Sequence, residues 1–150
     1  MANAQLREVF EKIQRVHREA ASCYADMTAL PDRRLAMLGE VFRRREQVFA
    51  RRLMAFKANE HPSVLDTWVK YVPFDRVEEA LAAIQAEREK DPEACLQQCL
   101  ELQQRLARFL REMADKLSAP NVREFLEGLA DCEEKAVRDF WFAMLTEHDA

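Results

Sequence analysis

Three side chains of this 150-residue chain are of the types that together hold a transition metal: His17, Glu46 and Glu133. One imidazole and two carboxylates suit a mononuclear iron, manganese or zinc site. Helical-wheel placement puts His17 and Glu46 toward the edges of their apolar stripes, and Arg45 would compete for the carboxylates. Arg45 itself falls among Leu38, Phe42, Phe49 and Phe56, and Glu133 falls among Leu129, Ala136 and Phe140. A lone buried charge is costly, so these two opposite charges, each halfway along its helix, are expected to pair. Cys95 and Cys99 stand one helical turn apart, as two ligands of zinc or copper(I) would, with Cys23 and Cys132 on other helices. Buried thiols filling tight helix packing account for the same four residues. No Ser-His-Asp arrangement, phosphate loop or paired CxxC motif accompanies them.

The elements that must position these residues are helices. Two glycines and five prolines are too few turn residues for a sheet protein of this length. Apolar residues recur three and four apart at Leu6, Val9, Ile13, Val16, Ala20, Cys23, Met27 and Leu30, which predicts a first helix over 4–30 with Asn3 as N-cap. Pro31 and Asp32 restart the chain, and a second helix over 32–58 buries Leu35, Leu38, Phe42, Phe49, Leu53 and Phe56. Asp91-Pro92 opens a third over 92–117, carrying Cys95, Cys99, Leu102, Leu106, Phe109, Met113 and Leu117. Asn121 and Glu124 are spaced as a capping box for a fourth over 121–146, with Val122, Leu126, Leu129, Ala136, Phe140 and Met144 inward.

Between the second and third helices lie about thirty residues, too many for an unstructured loop inside one compact domain. Ser63 with Asp66 predicts a short helix bearing Leu65, Trp68 and Val69; Asp75 with Glu78 opens another bearing Val77, Leu81 and Ile84. The connections are therefore short, long, short. The expected architecture is all-α: a single domain over 1–150, an antiparallel four-helix bundle with a long helical crossover between helices two and three.

These residues resemble the rubrerythrin branch of the ferritin-like superfamily. Cys23-Tyr24-Ala25-Asp26-Met27 through Leu38, Phe42, Glu46, Phe49 and Leu53 is similar to its first helical hairpin. Phe109 through Phe125, Leu129, Glu133 and Ala136 is similar to the second. The resemblance implies a dimetal centre built from a glutamate on each of two helices and Glu-x-x-His on the other two. This chain departs from that set. Phe49 follows Glu46, and Ala136 follows Glu133, where histidines belong; seven residues before Tyr24 and Phe109 stand His17 and Leu102 in place of the lone glutamates.

The reading that follows is a non-catalytic ferritin-like bundle, a structural or protein-interaction module that has lost its dimetal centre and needs no cofactor. Two alternatives stand beside it: a metal-binding oxidoreductase with a reduced site holding iron or manganese, and a bundle that binds a small molecule beneath its crossover. A homodimer or a protein partner is expected; Met37, Val41, Val48 and Ala55 lie off the main seam of helix two and either pack under the crossover or form a homodimer face, and Trp141 and Phe142, which widen the apolar face of helix four, carry the same two readings. Helix two is rich in arginine and helix four in acid, so the two are expected to compensate each other rather than bind nucleic acid, in keeping with a net charge of −4. The absence of an export signal or membrane span points to the cytoplasm, with reduced thiols.

Overall fold

A computed structural model describes residues 3–88 and 90–149, with side chains up to residue 143. Six helices dominate the described residues: α1 (Leu6–Thr28), α2 (Arg33–Asn59), α3 (Pro62–Leu65), α4 (Asp75–Glu87), α5 (Pro92–Lys116) and α6 (Pro120–Asp149). Two short strands, β1 (Asn3–Gln5) and β2 (Trp68–Lys70), complete them. The chain divides into two compact units, Met1–Val72 with Arg88–Pro92, and Pro73–Glu87 with Glu93–Ala150. No described helix is long and apolar enough to cross a membrane.

The first unit is a hairpin of α1 and α2. Asp32 caps α2 by accepting hydrogen bonds from the backbone N–H groups of Arg34 (2.9 Å) and Leu35 (3.3 Å). The two helices meet in aromatic layers spaced by heptads. Phe10 meets Phe56 at 5.8 Å between ring centroids, His17 meets Phe49 at 5.2 Å, and Tyr24 meets Phe42 at 5.6 Å. Each step of seven up α1 is a step of seven down α2, so the pairing is antiparallel with the 3.5-residue repeat of a bundle.

The chain is mostly helical, as expected, with one short strand pair that involves its start. Residues 3–5 are extended, and β1 pairs antiparallel with β2 in the register Asn3↔Lys70, Ala4↔Val69, Gln5↔Trp68. Asn3 therefore does not cap α1; the Leu6 N–H instead donates to the Thr67 carbonyl at 2.8 Å. Trp68 and Val69 stand on this strand rather than on a short helix, with Val69 inward and Trp68 out. The short helix α3 is capped by His61, whose Nδ1 accepts from the Ser63 N–H at 3.1 Å, and Pro62 occupies its first position.

Arg88 returns to the other end of α1. Its guanidinium donates to Asp26 Oδ2 (2.5 Å), to Ser22 Oγ (2.8 Å) and to the Ser22 carbonyl (3.1 Å). Thus the chain leaves the hairpin beside the N-terminal end of α1 and rejoins it beside the C-terminal end.

In the second unit Phe74, the residue before α4, packs on α5, its ring meeting that of Phe109 edge to face at 5.0 Å. Arg105 reinforces this contact, donating to the Arg76 carbonyl at 3.0 Å. The three residues between α5 and α6 make those helices antiparallel neighbours. Arg111 ties them by donating to Glu134 (2.8 and 2.9 Å) and Asp131 (2.5 Å). Its bonds to Glu134 hold that carboxyl below its ordinary pKa.

Gly39 sets the closest approach within the hairpin. A Cβ there would lie 2.7 Å from both Met27 Cβ and the Tyr24 carbonyl oxygen. Neither is the tip of a flexible side chain, so overpacking outweighs alanine's helix preference of about 1 kcal/mol. Gly39→Ala should lower unfolding free energy in urea by about 1–3 kcal/mol. Unchanged or raised stability would contradict this packing.

Candidate functional site

The middle layer of the hairpin is polar. His17 and Glu46 are 1% and 3% exposed, and His17 Nδ1 is hydrogen-bonded directly to Glu46 Oε2. Phe49 lies almost parallel to the imidazole, with an 18° angle between the planes. That stacking follows from sequence spacing: Phe49 is three residues beyond Glu46 and shares its helix face. Aromatic layers flank the pair on both sides, with Phe42 and Tyr24 toward the hairpin turn and Phe10 with Phe56 toward the open end.

A buried carboxylate hydrogen-bonded to a ring nitrogen fixes the imidazole's orientation and holds one proton between the two groups. Here His17 Nδ1 and Glu46 Oε2 face each other. Glu46, not Arg45, is the inward charged residue of α2. Arg45 lies one residue further round, half-buried, with its guanidinium 5.4 Å from the centroid of the Phe42 ring.

Glu133 is fully buried on α6, in the second unit. Of the proposed mononuclear ligands, the structure therefore joins His17 to Glu46 within one unit and places Glu133 in the other. Arg45 and Glu133 are divided between the units in the same way. Phe49 in the first unit, and Leu102 and Ala136 in the second, are all buried and have no donor atom. Among the described residues, no three His, Cys, Asp or Glu side chains are grouped to hold a metal ion.

Cys95 and Cys99 are buried thiols on α5, Cys132 is half-buried on α6, and Cys23 is buried on α1 in the other unit. Buried Gln103 on α5 is a polar core residue that the apolar pattern did not single out. On α2, Glu40 accepts from Arg43 (2.8 and 3.1 Å) and Arg44 (2.8 Å), which holds its carboxyl below the usual range. No protein-family model, curated protein or solved structure matches the chain.

Removing one member of this buried pair breaks the bond between His17 Nδ1 and Glu46 Oε2 in a desolvated layer. Glu46→Ala and His17→Ala should each cost about 3 kcal/mol or more of stability, while His17→Leu with Glu46→Leu should recover much of that loss. Urea unfolding of both singles and the double would reveal the coupling. Simple additivity would contradict a direct interaction.

Proposed function

We propose that the chain is a non-catalytic helical protein of ferritin-like layout, in which a protein-only core occupies the place of a dimetal centre. It works as a structural or interaction module, as a homodimer or with a protein partner. One observation carries this reading: Glu46, which matches the family's metal-binding motif, is bonded to His17, while Phe49 covers the imidazole. The buried side chains of Leu102 and Ala136 support it, since hydrocarbon at those positions would leave a dication under-coordinated. The path of the chain, leaving at one end of α1 and rejoining at the other, supports a crossover between two helical hairpins.

A mononuclear iron or manganese site is the second reading. It is favoured by the same adjacency, because an imidazole and a carboxylate in contact are also two ligand types side by side. The two readings separate on metal content. Protein purified without chelator, loaded with iron under anaerobic conditions and desalted, should retain far less than one metal per chain and show neither ferroxidase nor peroxidase activity. One tightly held iron per chain, lost in Glu46→Ala or Glu133→Ala, would establish the second reading instead. Loss only on changing Cys95 or Cys99 would move the site to the thiols.

A further inference from the structure

The helix α2 has a second seam on the side away from its buried face. Met37, Val41, Arg44, Val48, Arg51 and Ala55 follow one another at intervals of four, three, four, three and four residues. This is the spacing of a helix face that packs against another helix. All six are exposed: Met37 by 57%, Val41 by 47% and Val48 by 48%, with the Arg44 side chain at 73%. Arg33 and Arg52 flank the line and are exposed as well. The only acids of α2 are Glu46, which is buried, and Glu40, which already accepts from Arg43 and Arg44.

We propose that this outer seam docks an acidic amphipathic helix of a partner protein, with two carboxylates seven residues apart facing Arg44 and Arg51 and apolar side chains between them. The proposal deepens the interaction-module reading by assigning the surface and the chemistry of its partner. Charge selects the occupant. A parallel second copy would set Arg44 on Arg44 and Arg51 on Arg51. An antiparallel copy centred on the seam would set Arg44 against Val48 and Arg51 against Val41, with no carboxylate on the seam in either case. A bilayer surface suits a continuous apolar face with large anchors, whereas arginines occupy two of the six positions here. A partner helix with acids at matching positions covers the methyl groups, gives Arg51 a carboxylate and adds a second acceptor to Arg44, which Glu40 already engages on its own helix.

The test uses the full chain and a fluorescein-labelled synthetic peptide with Leu at four-three spacing and Glu at two seam positions seven apart, read by fluorescence anisotropy. One-to-one saturable binding is expected. It should weaken about tenfold in Arg44→Ala/Arg51→Ala and about as much in Val41→Ser/Val48→Ser, and disappear when the peptide's two Glu are Lys. Equal binding of a scrambled peptide with the same composition would overturn the seam, as would no binding at all. Sedimentation showing a dimer that Val41→Ser/Val48→Ser dissociates would assign the face to a second copy. Displacement of the peptide by phosphatidylserine vesicles would assign it to a membrane. Metal content is read on the same preparations: a metal-bearing chain that still binds the peptide sinks the metal-free reading alone, and a metal-free chain that fails to bind sinks the seam alone.

Discussion

Two charged-type residues buried against each other in the middle of a hairpin determine how its helices align. The aromatic layers of α1 and α2 are nearly interchangeable. A slip of one heptad would set Phe10 against Phe49 and Tyr24 against Leu35, still apolar against apolar. The polar layer does not tolerate that slip, because His17 would meet Phe42 and Glu46 would lose its hydrogen-bond partner. A desolvated carboxylate without a donor costs several kcal/mol, whereas a displaced aromatic layer changes contacts of smaller and mutually similar energy. The His17–Glu46 pair is thus a registry device, comparable in logic to a lone polar residue in a coiled-coil seam. Gly39 acts with it, since only a residue without Cβ fits against Met27 and the Tyr24 carbonyl at that register.

Helix existence was legible in the apolar spacing, and the positions of Asp32, Pro92 and the break before α6 located four of the six helices to within a few residues. The ends were less legible where tertiary pairing outweighed local preference. Asn3 is a good N-cap in isolation, but its backbone pairs with Lys70 across the sheet, so residues 3–5 are extended. Trp68 and Val69 carry a β-prone sequence that the capping signal at Ser63 obscured. The candidate site was half legible. Residue types pointed to His17 and Glu46, yet a wheel centred on the apolar stripe put Arg45 inside and Glu46 at the edge. Counting by sevens would have found both, because His17 lies midway between Phe10 and Tyr24, and Glu46 midway between Gly39 and Leu53. The direct bond between them could not be read from spacing, because it depends on the register of one helix against the other.

The two faces of α2 divide the work of the helix. Its inner face carries a buried polar pair with an aromatic cover, an arrangement that holds register. Its outer face keeps apolar side chains in water beside arginines. Such exposure is unfavourable for an isolated chain and becomes favourable when a complementary surface covers it.

The central claim is that His17 and Glu46 bind each other and not a metal. Long-range proton–nitrogen NMR on histidine-labelled full-length protein tests it directly, with the His17 signals assigned by their loss in a His17 variant. The account predicts a strongly downfield, slowly exchanging Nδ1 proton that disappears in Glu46→Gln and stays unchanged when manganese(II) or zinc(II) is added. Broadening of the His17 ring signals by stoichiometric manganese(II), or their displacement by zinc(II), would contradict it.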